Sequence, residues 1–339
     1  MTAKNSDETH QPEKVLVTGG GGFLGEAIVK RLVTRGDQVR SLSRKKYPAL
    51  EAMGVEQIPG DISDPAIVAR ACEAVEIVYH VAAKPPPWGK YHDYYQTNVV
   101  GTENVIAGCY RHNVARLIYT STPSVVFDGT DKQGADESLP YPVKFNAHYP
   151  ATKALAEQKV INAAAYGLGT VALRPHQIWG PGDPHFVPRL IARAGELKQI
   201  GSGKNLVDTT YIDNAADAHL LAADRLAQNP AISGNTYFIS QDDPVPVWDM
   251  INAILQAAGL EPISGRVPYR AAWTVGAVLE FFYRTFHLAG EPKMTRFLAD
   301  AVAKSHWFDI RAAKQDLGYS PLISTEEGLQ RLAAWLENK

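Results

Sequence analysis

Residues 15–25 read VLVTGGGGFLG. An apolar run ends at Thr18, glycines follow at 19–22 and 25, and Leu24, Ile28 and Leu32 then recur at helical spacing. Gly19, Gly22 and Gly25 fit G-x-x-G-x-x-G between a strand and a helix. Glycine allows the tight turn, lets backbone approach a pyrophosphate, and lets helix and strand pack closely, while the helix N-terminus attracts the anion. A glycine run alone says little. Lying between an apolar strand and an amphipathic helix, this one reads as a dinucleotide site.

Working outward, short β-branched runs at 14–18, 38–42, 55–59, 76–81, 116–120 and 170–173 alternate with segments of helical period, such as Val99, Thr102, Ile106 and Cys109. That alternation predicts βαβ units. The expected fold class is α/β: a Rossmann-type doubly wound parallel sheet of six strands with a smaller, mainly helical C-terminal substrate lobe. Residues 1–13 read as a polar tail, 14–243 as the nucleotide-binding domain with a substrate-lobe insertion at about 179–205, and 244–339 as the C-terminal lobe. The stretch WGPGDPHFVP (179–188) reads as a loop. Residues 206–212 and 235–239 read as further strands, with a helix from 214 to about 227 between them.

Of 339 residues, 45% are hydrophobic and 21% charged, ordinary values for a globular chain of one or two domains. Lys plus Arg number 34 against 36 Asp plus Glu, so the basic surplus expected of a nucleic-acid binder is missing. Two cysteines, Cys72 and Cys109, make no disulfide framework or zinc site. The start is polar, without an apolar leader segment, and 271–283 is too short to span a bilayer. A cytoplasmic protein is expected, with peripheral membrane contact as an option. The ten histidines show no metal-ligand spacing, so no metal is expected. His80, His148, His176 and His219 read as hydrogen-bonded structural residues.

In an NAD binder an acid about 20 residues past the glycines accepts from the ribose 2′-OH. Here the second strand runs into RSLSRKKYP, with Ser43 in that place and Arg44, Lys45 and Lys46 after it. Cations suit a 2′-phosphate, so NADP(H) is favoured over NAD(H). Tyr149 and Lys153, in HYPATK, stand four apart on one helix face. A phenol has a pKa of about 10, and a neighbouring ammonium is expected to bring Tyr149 down toward working pH for proton transfer. Ser121, Thr122 and Ser124 follow a strand at its carboxyl end, where open α/β sheets bind ligands.

With TGGGGFLG (18–25), GDISD (60–64), YHVAA (79–83), NVVGT (98–102), YTSTPSV (119–125), YPATK (149–153), RPHQIWGPGD (174–183) and TTYIDNAADAH (209–219), the chain resembles an extended short-chain dehydrogenase/reductase. Within that superfamily it resembles the 3β-hydroxysteroid dehydrogenase group, which includes sterol-4α-carboxylate 3-dehydrogenases, from residue 14 to about 336. The resemblance implies Tyr149 as acid/base, Lys153 as its electrostatic partner and Thr122 as the substrate-orienting hydroxyl, with Ser121 and Ser124 as weaker candidates. It places Gly19, Gly22, Phe23, Leu24 and Gly25 at the dinucleotide, with Ser43, Arg44 and Lys45 at its ribose. Asp61 and Ile62 approach the adenine, Ala82 and Ala83 line the cofactor, and Pro175 and His176 pass near the nicotinamide. Family habit adds a homodimer through helices flanking 97–113 and 150–165.

The motifs AAKPPPWG (82–89), STPSV (121–125) and RPHQIWGPGD also resemble the 2-alkyl-3-oxoalkanoate reductases, which use NADPH. Either resemblance implies a bulky apolar substrate, a sterol or a β-keto/hydroxy acid, with a 3β-hydroxysteroid or 4-carboxysterol ranked first. Trp88, Tyr91, Tyr94, Tyr95, Trp273, Phe281, Phe282 and Tyr283 are candidates for its pocket or for core packing. The segment 269–288 is a candidate cover for the pocket mouth that touches membrane. A nucleotide-sugar epimerase or dehydratase, with Arg174, Arg189 and Lys204 on a diphosphate, and a dinucleotide-sensing regulator are the rival readings.

Overall fold

The computed structural model describes residues 11–86 and 88–338, so most of the expected N-terminal tail lies outside the described residues. Seven parallel strands form the central sheet: β1 (Lys14–Thr18), β2 (Gln38–Ser43), β3 (Glu56–Pro59), β4 (Ile77–His80), β5 (Arg116–Thr120), β6 (Gly169–Pro175) and β7 (Asn235–Ile239). Their spatial order is β7-β6-β5-β4-β1-β2-β3. The order reverses between β1 and β4, and in such sheets the ligand crevice opens at that switch point.

The sheet is buried on both faces, and the period-2 rule sorts its side chains between them. Val15, Val17, Ile77, Tyr79 and Ile118 join one apolar cluster, while Leu16, Val78, Leu117 and Tyr119 join the other. Helices α1 (Phe23–Arg35) and α5 (Ile212–Gln228) cover the first face with Ile28, Leu32, Ala215, Ala218 and Ala222. Helices α2 (Pro65–Cys72), α3 (Gly101–Arg111) and α4 (His148–Ala163) cover the second with Val68, Val105, Ala156 and Val160. Leu32 is fully buried, so truncating it to Ala would cost about 2–5 kcal/mol. Asp64 starts α2 by accepting from the amides of Ala66 (2.9 Å) and Ile67 (3.3 Å), with Pro65 as the first helical residue.

The structure adds detail to several expectations and corrects others. Residues 235–239 join the main sheet as its seventh strand, paired to β6. The expected loop at 179–188 instead holds Trp179, in a two-residue strand with Ile178, and the start of a helix, Phe186–Arg193, whose amides at 185–187 are capped by Asp183. The expected strand at 206–212 breaks at Asp208 into Leu206–Val207 and Thr210–Tyr211, which belong to different sheets. The sequence past 244 is helical at Val247–Ala257, α6 (Tyr269–Thr285), α7 (Arg296–Ala303) and Thr325–Glu337, but His306–Phe308 is a strand. It pairs with Leu206–Val207 on one side and with Lys132–Ala135 on the other, bringing the C-terminal part back over the sheet's carboxyl edge.

Candidate active site

Above the switch point opens a cleft of about 690 Å³. Its wall includes Gly19, Gly22, Phe23, Leu24, Gly25, Ser43, Arg44, Asp61, Ile62, Ala82, Ala83, Thr122, Tyr149, Lys153, Pro175 and His176. Every residue expected at the site is therefore on one surface except Lys45, whose ammonium lies over the Tyr47 ring, 5.2 Å from its centroid.

The glycine turn is built to be filled by something other than side chains. Gly19 has φ +72°, and a Cβ there would meet the Ala82 backbone at 3.1 Å. A Cβ on Gly25 would fall 2.1 Å from the Gly19 carbonyl oxygen, so α1 can start here only on glycine. Gly22 stands at the N-cap of α1, whose first turn no side chain caps. The open amide end and the uncrowded cleft beside it fit a dinucleotide pyrophosphate. At the far end of this wall the Ser43 hydroxyl accepts from the Gly21 amide at 3.4 Å, and no carboxylate takes its place. Tyr47 lies against the turn, where a Cβ on Gly21 would sit 2.2 Å from its ring.

Beneath the turn runs a buried polar chain. Thr18 Oγ1 accepts from the amides of Val81 and Ala82, both at 3.1 Å, and donates to His80 Nδ1 at 2.7 Å. His80 Nε2 donates to Thr102 Oγ1 at 2.9 Å, which donates to the Asn98 carbonyl at 2.7 Å. The Asn98 side chain accepts from the Lys84 amide and donates to Thr152 Oγ1 at 3.0 Å. These partners fix one neutral tautomer of His80, and burial, aided by the Lys153 charge, lowers its pKa to about 3. His219 is likewise neutral: it donates from Nδ1 to the Ala215 carbonyl, Thr120 donates to its Nε2, and burial lowers it to about 4.

At the reacting end, β5 delivers Thr122 and the start of α4 delivers Tyr149 and Lys153. Thr122 Oγ1 donates to Ser124 Oγ at 3.1 Å and accepts the Ser124 amide at 3.2 Å. Lys153 Nζ donates to the Thr120 carbonyl at 2.6 Å and lies 4.1 Å from the centroid of the Tyr119 ring. Burial lowers Lys153 to about 7, with Glu157 opposing. Burial raises Tyr149 to about 12, opposed by its hydrogen bond with Thr122. The expectation that Lys153 draws the phenol downward is therefore corrected: in the protein alone the ammonium is engaged by a carbonyl and a ring, and desolvation dominates. Ser121 is 4% exposed, and its hydroxyl has no partner among the described residues.

None of the aromatics expected at the substrate pocket lines the cleft. Phe127, Phe186, Phe297 and Phe308 do, with Phe23 on the glycine turn. Trp88 and Tyr94 line a smaller pocket beside it, with the Trp88 ring edge-on to Tyr283 and under the Arg284 guanidinium. This contact ties the segment after Lys84 to α6. Helix α6 packs through Ala272, Gly276 and Glu280 and leaves Val275, Val278, Phe281 and Phe282 exposed, so Phe281 and Phe282 face away from the cleft. The three cations expected on a sugar diphosphate are also elsewhere: none lines the cleft. Arg174 is buried in a two-point pair with Glu157 at 2.7 and 3.0 Å, and Arg189 pairs with Glu291. Sequence reasoning singled out neither Asp208 nor His306: His306 lines the cleft with His176, and Asp208 lies behind His176. Among the described residues no group of His, Cys, Asp and Glu is placed to hold a metal ion, and no helix is long and apolar enough to cross a membrane.

Residues 16–268 match the model of the 3-beta hydroxysteroid dehydrogenase/isomerase family. The chain is 49% identical to a 2-alkyl-3-oxoalkanoate reductase of Stenotrophomonas maltophilia over 95% of this chain and 98% of that protein. It is 51% identical to one of Shewanella oneidensis over 94% and 85%. Identity to the decarboxylating sterol-4-alpha-carboxylate 3-dehydrogenase of Mus musculus is 33%, over 96% and 91%. Among solved structures, the crystal structure of gox2253 matches with a TM-score of 0.78 at 26% identity, covering 96% of this chain and 98% of that one. MoeE5 in complex with UDP-glucose and NAD matches with a TM-score of 0.75 at 25%, covering 96% and 99%.

Proposed function

The chain belongs to the 3-beta hydroxysteroid dehydrogenase/isomerase family and is a nicotinamide-dependent oxidoreductase, and from that premise we propose that it reduces the 3-oxo group of a 2-alkyl-3-oxoalkanoate with NADPH. The observation that carries it is the convergence of Thr122, Tyr149 and Lys153 on one cleft, where burial keeps the Tyr149 phenol protonated. A phenol in that state is a proton donor at neutral pH.

A dinucleotide held in this cleft would supply the hydride for the carbonyl carbon. Thr122 orients the substrate oxygen through its hydroxyl, and Tyr149 Oη gives that oxygen its proton. Lys153, fixed on the Thr120 carbonyl, keeps a positive charge within the same buried pocket when it is protonated, and this favours the tyrosinate left behind. Gly19, Gly22, Phe23, Leu24 and Gly25 would hold the pyrophosphate, Ala82 and Ala83 would close the wall, and Pro175 and His176 would flank the nicotinamide. Asp61 and Ile62 would border the adenine. Ser43, where an NAD binder carries an acid, and the exposed Arg44 would meet a 2′-phosphate, and this supports NADP(H) over NAD(H).

The substrate assignment draws on the two bacterial relatives at 49% and 51% identity, against 33% for the sterol enzyme, and so reverses the order in which sequence motifs alone rank a sterol and an alkyl acid. The test is purified protein with NADPH and a 2-alkyl-3-oxoalkanoate, with a 4-carboxysterol and NAD⁺ or NADP⁺ alongside. NADPH consumption with the alkyl acid is expected; turnover of the sterol alone would overturn the proposal.

Two further parts of the proposal concern surfaces. The exposed Val275, Val278, Phe281 and Phe282 of α6, with Phe286 beyond it, support contact with a lipid surface, to be tested by liposome co-sedimentation. Exposed Tyr110, Leu155 and Tyr166 on and after α3 and α4 support a homodimer, to be tested by light scattering.

A further inference from the structure

Asp208, His176 and His306 form an array that the proton transfer above does not use. His176 Nδ1 is bonded to Asp208 Oδ1, His306 Nδ1 lies 3.1 Å from His176 Nε2, and His306 Nε2 lies 2.6 Å from the Ala301 carbonyl oxygen. Asp208 Oδ2 accepts the Phe308 amide at 3.0 Å, and the carboxylate is 1% exposed.

The protons can be counted. A carbonyl oxygen only accepts, so His306 Nε2 carries a hydrogen. An ionised carboxylate only accepts, so His176 Nδ1 carries another. The contact between the two rings needs a third. Two neutral imidazoles hold two, so the array is complete only with one extra proton, as carboxylate, imidazolium and imidazole. Because His306 Nε2 donates to the Ala301 carbonyl and its Nδ1 faces His176 Nε2, the hydrogen of the ring contact belongs to His176 Nε2.

The array is polarised toward the cleft. His176 and His306 line the same wall as Thr122, Tyr149 and Lys153, whereas Asp208 lies behind them. His306 packs edge-on to Phe127, ring centroids 5.7 Å apart, and the Phe127 amide donates to the Ser124 carbonyl. Neighbouring charges are engaged elsewhere. Lys132, in register with His306, bonds Asp128 at 2.9 Å; Lys304 lies over the Tyr269 ring; Asp131 accepts the Ser305 amide; Lys84 lies over Tyr94 and 3.9 Å from Asp93.

We infer that the His176–His306 pair, backed by Asp208, is the subsite that receives the substrate's carboxylate. The inference rests on the reading of the substrate as a 3-oxo acid, whose carboxylate lies one carbon from the reacting centre. The three hydrogens are already in use, and the 3.1 Å contact between the rings is the longest, so its N–H is the one a carboxylate oxygen can share.

The experiment measures the stable 2-alkyl-3-hydroxyalkanoate and its methyl ester, each oxidised with NADP⁺ at about pH 7. In wild type, KM for the acid is expected about tenfold below that for the ester, as for one added charged hydrogen bond. His306→Gln is expected to raise KM for the acid about tenfold and to change that for the ester by less than about threefold. Equal changes for acid and ester in the variant would overturn the subsite. Wild type that turns over both compounds with one KM keeps the substrate reading and removes the subsite. Turnover of neither removes the reading and the subsite with it.

Discussion

The two ends of the cleft solve opposite problems. At the dinucleotide end the specificity lies in backbone: Gly19 at φ +72°, Gly25 under the Gly19 carbonyl, and a bare helix N-terminus, with solvent-facing Arg44 at the rim. At the reacting end it lies in buried ionisable groups whose ordinary protonation is overridden, with Tyr149 raised to about 12 and Lys153 lowered to about 7. Backbone cradles bind by shape and tolerate water; buried acids and bases work because water is excluded. Substitutions should therefore act on affinity at one end and on turnover at the other.

The largest effect expected is from Tyr149→Phe. It should lower kcat by about a thousandfold, within the range for loss of a positioned acid, while dinucleotide Kd by fluorescence titration stays within about twofold. A comparable loss of dinucleotide binding would erase the division between the two ends.

Acid tests the buried histidines that support both. His80 and His219 are neutral in the fold, with pKa values lowered to about 3 and about 4, whereas unfolded histidine titrates near 6.5. As pH falls below about 6.5 the unfolded chain takes up protons that the fold refuses, so stability is lost progressively toward pH 4. Between pH 6.5 and 5 the loss is about 2 kcal/mol for each histidine. Urea unfolding at the two pH values measures it, and an unchanged midpoint would contradict the assigned tautomers.

At the rim, Ser43→Asp restores an acid to the ribose position. It should move the NADPH-to-NADH ratio of kcat/KM about tenfold toward NADH without altering the kcat reached with saturating cofactor. The smallest effect belongs to Lys45→Ala: its ammonium lies over Tyr47, off the cleft wall, and KM for NADPH should change by less than about twofold. A larger change would show that the Lys45 ammonium leaves Tyr47 to reach the 2′-phosphate.

The same contrast explains what could be read in advance. The strand–glycine–helix unit is local, and all six expected strands of the main sheet lie within two residues of their observed bounds at each end. Local spacing also placed Tyr149 and Lys153 on one helix face. Asp208 and His306 were not legible because they reach His176 across 32 and 130 residues of chain, on segments with no periodic pattern. The strand at His306–Phe308 is three residues long and exists because Lys132–Ala135 and Leu206–Val207 flank it. The sign of the Tyr149 shift was missed for a related reason: spacing shows the ammonium nearby but not the Thr120 carbonyl that engages it.

The polar chain from Thr18 through His80 and Thr102 to the Asn98 carbonyl has a direction, since each side chain in it gives one hydrogen to the next. Reversing any one bond would set two hydrogens, or two lone pairs, against each other farther along. Thr18 or Thr102 can therefore give way to serine, which keeps one hydrogen and two lone pairs, but not to a side chain that only accepts or only donates unless its neighbour changes with it.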